Sequence, residues 1–284
     1  MTSLSCLSSV KRSAEEHSRG NPSWGLFTDI EVIVDKSGSM CTMNSAPPEQ
    51  IHKTFMDQQK LAQDNPNQKI HMSLTCFDHD ANTVIDNIDI RTFDIPDANE
   101  FTNMLKPSGS TRCYDTVIER IRAQDQRIKE AISKLPYAIR ALNPTVTRIL
   151  YLLTDGEDNQ SGTTVRHFQH FMHEQKTTHN LKSIFLAANI GDAQIVGTQM
   201  GFDSNTCLTI GNNYHLSSNG MASAGHVLRQ FSQNMPAPAF TALQRASSQA
   251  PHPVSSTQDD TDDEFDNNTF ANLSTLPLPM LRRA

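Results

Sequence analysis

The segment TRILYLLTD (residues 147–155) is apolar on both faces and ends in a turn at Asp155. A strand of that pattern has no side to give to water, so it belongs inside a sheet covered on both faces. LFTDIEVIVD, starting at Leu26, is likewise apolar and β-branched enough for a buried strand. Around these two runs, helical and strand patterns alternate. EQIHKTFMDQQKLAQD sets Ile51, Phe55, Met56 and Leu61 near one helical face and is broken by Asn65-Pro66-Asn67. KIHMSLTCF alternates, and the polar turn Asp78-His79-Asp80 leads into NTVIDNIDI. So short a turn favours an antiparallel hairpin, because a parallel return needs a longer crossover. A long helical stripe follows (Tyr114, Val117, Ile118, Ile121, Ile128, Ile132, Leu135). Beyond residue 155, HFQHFMHEQ reads as helix, LKSIFLAAN as strand and DAQIVGTQM as a short helix. Thr206 to Ile210 is a short strand and MASAGHVLRQFSQ a last helix. The expected fold is α/β: a Rossmann-like open, mostly parallel central sheet with one antiparallel edge strand and helices on both faces.

The pattern covers only part of the chain. Residues 1–24 are polar and patternless and read as a flexible arm, and residues 25–235 hold the domain. From Pro236 the composition turns to Pro, Ser and acid without a sustained period, so 236–284 is expected to form a disordered tail. A hydrophobic content of 37% and an aromatic content of 6% agree with a chain that does not all enter a core. The net charge is −7, and no dense basic stripe of the kind nucleic acid requires is present. The five cysteines are odd in number and contain no CxxC, which fits reduced thiols and a cytoplasmic protein. MTSLSCLSSVKRSAEE lacks the basic-then-apolar order of a secretory signal. No apolar run approaches the roughly 18 residues needed to span a bilayer.

In a sheet of this kind, ligands bind beyond the carboxyl ends of the strands, where the strand order reverses. Three such places carry unusual oxygen chemistry. The first strand runs into Asp35-Lys36-Ser37-Gly38-Ser39, the loop before the long helix is Ser108-Gly109-Ser110-Thr111, and ILYLLTD ends at Asp155-Gly156. Two carboxylates and three hydroxyls suit a hard cation such as Mg²⁺, which takes oxygen ligands and keeps much of its water. Gly38, Gly109 and Gly156 allow sharp turns around it.

The D-x-S-x-S of Asp35, Ser37 and Ser39, with the distant Thr111 and Asp155, resembles the metal-ion-dependent adhesion site of von Willebrand A and integrin I domains. The flanks EVIVDKSGSM, GSTRCYDTV and LYLLTDGEDN look like the family's three site segments, in its order, over roughly residues 26–235. The resemblance implies a complete site holding Mg²⁺ or Mn²⁺. Ser37 and Ser39 would bind the ion directly, Thr111 directly or through water, and Asp35 and Asp155 mainly through water. It implies binding rather than turnover, with an Asp or Glu of a partner protein completing the ion's shell. Intracellular relatives of that family work with ring ATPases, metal-insertion complexes or ubiquitin-system proteins, so an adaptor or accessory subunit is expected.

Asp115, Gly156 and Glu157 are second-shell candidates, Asp115 by reaching back toward Thr111. Ordinary helix capping explains Asp115 equally well, and Glu157 and Asp158 equally serve to solvate a loop. His167, His170 and His173 recur along one helix; a solvated face is the simpler reading than a transition-metal site. Cys41 and Cys113 each follow a site residue by two and read best as small buried fillers. The alternative function is a metal-dependent phosphoester hydrolase or phosphotransferase of haloacid-dehalogenase type. Its second Asp is replaced here by Ser37, which lacks the pKa of an acid/base. GxxxxGK[ST] and GxGxxG are absent.

Overall fold

The computed structural model describes residues 27–249 except 142, 143, 145, 156, 157, 189, 236 and 237. The elements run β1 (Thr28–Asp35), a 3-10 turn (Gly38–Met43), α1 (Ala46–Asp64), β2 (Ile70–Phe77), β3 (Ala81–Asp89) and α2 (Ala98–Met104). They continue with α3 (Cys113–Ser133), α4 (Tyr137–Arg140), β4 (Thr147–Thr154), α5 (Val165–His179), β5 (Leu181–Ala188) and α6 (Ala193–Gln199). A 3-10 turn (Ser204–Thr206), β6 (Cys207–Ile210), α7 (Tyr214–Ser232) and α8 (Ala242–Ser247) complete the order. The strands form one six-stranded sheet, β3-β2-β1-β4-β5-β6, parallel except for the β2–β3 hairpin at one edge. The order reverses between β1 and β4, so the loops following these two strands border the crevice where such sheets bind ligands.

The period-two alternation of the strands divides the core in two. Ile30, Val32 and Val34 of β1 and Ile149, Tyr151 and Leu153 of β4 join residues of α1 and α7 on one face. Ile33, Leu150, Leu152 and Phe185 join Val117 and Ile121 of α3 and Phe168 of α5 on the other. Burial on both faces of β1 and β4 is what a near-continuous apolar run requires.

Two residues of β1 break that rule. Asp29 and Glu31 lie on the α3 face of a central strand with 1% and 0% exposure. They persist because α3 presents cations at helical spacing. Arg120 bonds Glu31 at 3.2 Å, Arg127 bonds both Glu31 and Asp29, and Gln124 Nε2 donates to Asp29 Oδ1 at 3.0 Å. Arg148 of β4 extends the network to Asp125 and to the Gln124 and Gln175 side chains. Burial pushes the Asp29 and Glu31 carboxyls up, against the pull of these arginines.

Ordered structure continues past the Met235 boundary expected from sequence. Phe240 is buried and its N–H donates to Asn205 O, while Arg245 donates to Cys207 O, Ser204 O and Asn205 O. Ser248 Oγ donates to Thr209 O, and Gly211 N to Ser248 O, so this segment lies along β6. Helix α8 starts at a capping box, Thr241 with Gln244, which holds a short helix where the composition alone reads as tail. The 1–24 arm and residues 251–284 lie outside the described residues.

Helix α7 sits close on β6 because Gly220 has no side chain. A Cβ there would lie 2.1 Å from Ile210 Cγ2 and 3.1 Å from Ser248 Cβ. Ile210 is β-branched and cannot rotate away cheaply. Gly220→Val is expected to destabilise the fold by at least the 1–3 kcal/mol typical of overpacking. At about 2–4 °C per kcal/mol this is a visible drop in the melting temperature. An unchanged melting curve rules the close contact out.

Candidate binding site at the sheet rim

Four of the five residues expected at the site converge at the carboxyl ends of β1 and β4. Asp35 ends β1 with 2% exposure. Its Oδ1 accepts from Ser37 N at 2.7 Å and its Oδ2 from Thr154 Oγ1 at 2.7 Å. Ser37 leads into the 3-10 turn, yet its hydroxyl does not cap it; Ser37 Oγ and Ser39 Oγ lie 3.1 Å apart. Ser39 Oγ donates to Asp155 Oδ2, closing a chain of oxygens between two loops 116 residues apart. Ser37 and Asp155 are buried and Ser39 is exposed, so the cluster opens to solvent on one side.

Thr111 lies in the loop before α3. It is buried, its N–H donates to Asn159 Oδ1 at 3.0 Å, and its carbonyl accepts from Asn159 N and Gln160 N. Its loop is joined to the first through Gly38 N and Gly109 O, 3.2 Å apart. Gly109 has φ +70° and a Cβ would meet His79 Nδ1 at 2.7 Å, so glycine is required there. Gly38 carries no such restriction: a Cβ would meet Gly109 O at an ordinary 3.6 Å.

Residues other than the five expected at the site hold the rim. Lys36 Nζ pairs with Asp78, and Ser108 Oγ donates to the same carboxylate at 2.7 Å. Ser108 N donates to Lys36 O and Arg112 N to Asp78 O. Burial opposes ionisation of Asp78, but the hydrogen bonds from Lys36, Asp80 N and Ser108 hold its carboxyl down to about 2. Asp78 thus fastens together the loops after β1 and β2 and the loop before α3. Asp158 receives Tyr114 N at 2.8 Å and Ser161 N at 2.9 Å, which places a carboxylate at the first turn of α3. The signal for Asp78 was its position in the β2–β3 turn; for Asp158, its short distance from a strand end.

Asp115 reaches Gly162 N and Thr163 N rather than Thr111, so its role is to anchor the loop after β4. Gly156 and Glu157 lie outside the described residues. Cys113 is fully buried beside Thr154, whereas Cys41 is exposed, so only the former is a core filler. Burial, with the Asp35, Asp158 and Asp155 charges, pushes the Cys113 thiol up. The histidines at 167, 170 and 173 are all exposed on α5.

The electrostatics centre on Asp35. Burial pushes its carboxyl up to about 6; hydrogen bonds from Ser37 and Thr154 pull it back, and the Asp155 charge adds to the rise. The complete adhesion-type metal site implied by the resemblance is corrected here. Among the described residues, no group of three or more His, Cys, Asp or Glu side chains is placed to hold a metal ion. What the rim presents is two carboxylates linked through two serine hydroxyls.

No family model matches this chain. No curated protein matches it either. Solved structures do resemble it. Proximal thread matrix protein 1 from the mussel byssus is 12% identical, with 72% of this chain and 46% of that one covered and a TM-score of 0.42. A von Willebrand factor type A protein from Catenulispora acidiphila is 14% identical, with 73% and 42% covered and a TM-score of 0.43. The vWF domain of the type V pili tip protein Mfa5 from Porphyromonas gingivalis is 10% identical, with 76% and 99% covered and a TM-score of 0.48. The chain spans less than half the length of the first two. The cytoplasmic placement expected above is withdrawn on this finding, since the similar structures are described as a byssus thread protein and a pilus tip protein. Among the described residues, no helix is long and apolar enough to cross a membrane. Likenesses at this level of identity do not extend to ligand or activity, and the fold described above rests on the sheet itself.

Proposed function

We propose that the rim between β1 and β4 is a protein-binding surface whose affinity depends on a divalent ion, Mg²⁺ or Mn²⁺. The observation that supports this is the run of side-chain oxygens from Asp35 through Ser37 and Ser39 to Asp155, at the point where the strand order reverses. Two neighbouring carboxylates, Asp35 being buried with no cation bonded to it among the described residues, form an environment that a hard cation relieves. The donor set of carboxylates and hydroxyls fits such an ion, with water as its remaining ligands.

In this reading Ser37, Ser39 and Thr111 offer neutral oxygens, and Asp35 and Asp155 carry the negative charge. The bound ion supplies an electrophilic position for an Asp or Glu side chain of the partner. Thr154 and the Ser37 N–H fix the Asp35 carboxylate in place, and the Lys36–Asp78–Ser108 cluster holds the adjoining loops. In this reading the rim binds its partner without turnover.

Isothermal titration of the full chain with MnCl₂ and MgCl₂, followed by sodium acetate as a stand-in for the partner carboxylate, tests the proposal. One metal site per chain is expected, with acetate binding only after metal is added. Asp155→Ala combined with Ser39→Ala is expected to weaken metal binding at least tenfold. The reading fails if that variant binds metal as the unaltered chain does, or if acetate binds equally in EDTA.

A further inference from the structure

A second surface lies away from this rim, in a groove of about 420 Å³ between α5 and the turn that follows α6. Arg166, His170, His173 and Lys176 line one wall, at spacings of four, three and three residues along a single face of α5. Thr198 of α6 and Phe202 of the turn after it also line the groove. The groove exists because the chain turns back tightly at Gly201, where φ is +91° and a Cβ would meet Met172 Cβ at 2.9 Å and Gln169 O at 3.0 Å.

The charge of this wall is unusual in a protein of net charge −7. Elsewhere in the domain, Lys36, Arg112, Arg120, Arg127 and Arg148 each meet a carboxylate. No Asp or Glu lines this groove, and among the described residues neither Arg166 nor Lys176 forms an ion pair with a carboxylate. The row from Arg166 to Lys176 runs about 15 Å along the helix at 1.5 Å per residue. A single phosphate or carboxylate would engage only one or two of these side chains. An extended peptide advances about 3.3 Å per residue, so about five residues match the row.

We infer that this groove is a docking site for an acidic peptide, bound in extended form along α5 with alternate carboxylates meeting the row from Arg166 to Lys176. The attraction is between exposed charges and therefore falls with ionic strength. The site is independent of the metal reading, because none of its residues belongs to the β1–β4 rim.

Fluorescence anisotropy of the full chain with a labelled five-residue glutamate peptide provides the test, alongside a five-residue glutamine peptide and inorganic phosphate as competitor. Binding of the glutamate peptide is expected, with no binding of the glutamine peptide and only weak competition by phosphate. Arg166→Glu with Lys176→Glu is expected to weaken it at least tenfold. Both positions are on the surface, so circular dichroism melting should show the variant folded. Lys53→Glu, an equal change of charge per residue on exposed α1, should alter affinity less than twofold. Amide shifts on peptide addition should include Thr198 and Phe202. Equal weakening by Lys53→Glu, or no saturable peptide binding, overturns the inference. Phosphate displacing the peptide at equal concentration also overturns it, by showing a site for a single anion.

Discussion

Arg127→Ala is expected to cost about 3–5 kcal/mol of stability, the range found when one partner of a buried ion pair is removed. Arg127 bonds both Glu31 and Asp29, and the alanine would leave Asp29 with only the hydrogen bond from the neutral Gln124 amide, its bonded cation removed, in the interior of the sheet. Burial by itself would lower the Arg127 pKa, but the charges of Glu31 and Asp29 prevail and hold it charged. Within this network Asp29 Oδ2 and Arg127 Nε already lack hydrogen-bond partners, so little remains to compensate the loss. Replacing the cluster together (Asp29→Asn, Glu31→Leu and Arg127→Met) should cost much less, because the buried charges go together and Arg120, which loses Glu31, keeps Asp86. Urea unfolding of the single and the triple variant separates the two cases. A loss below about 1 kcal/mol for Arg127→Ala, in the range of an exposed pair, would show that water reaches these charges.

Asp35→Asn should make the metal-free protein more stable at neutral pH and abolish metal binding at the same time. The Asp35 carboxyl stands near 6 in the folded protein against an ordinary 3.8. Between those pH values the folded protein keeps a proton that the unfolded chain has released. Stability therefore falls as pH rises from about 4 to about 6, and the loss is complete above that range. At 1.36 kcal/mol for each tenfold change, the full cost is about 3 kcal/mol. Asparagine removes this cost and still offers an oxygen to the Ser37 N–H. In EDTA, the urea midpoint of the unaltered chain should drop between pH 4.5 and 7.5 relative to that of the variant. Millimolar Mg²⁺ should then restore the unaltered chain and leave the variant unmoved. Parallel pH curves for the two proteins would remove Asp35 from this account.

The strands and their order along the chain were legible because β4 is apolar on both faces, β1 and β5 are mostly apolar, and β2 alternates and is followed by a three-residue turn. Asp35 and Asp155 were legible for the same reason, since periodicity locates the end of a strand. The short helices were less so. Helix α2 has seven residues and α8 six, too few to display a 3.6-residue period, and the capping boxes Asp97/Glu100 and Thr241/Gln244 were the available signals. Helix α7 begins at Tyr214, seven residues before the Met221 start that its apolar stripe implies, because Asn213 caps it through Leu216 N.

The sequence by itself determined the α/β class, the hairpin edge and the loops rich in side-chain oxygens, because each depends on periodicity or composition within a short segment. Tertiary structure alone decided which charges meet. Asp29 and Glu31 sit within a run that reads as a buried strand, and only the packing of α3, some ninety residues later, supplies their arginines. The pairing of Lys36 with Asp78, the bonding of the Thr111 backbone to Asn159 and the exposure of the α5 cations also depend on contacts between distant segments. A local pattern specifies which face of an element is buried, while the partner across the interface is set by the topology that brings the second element there.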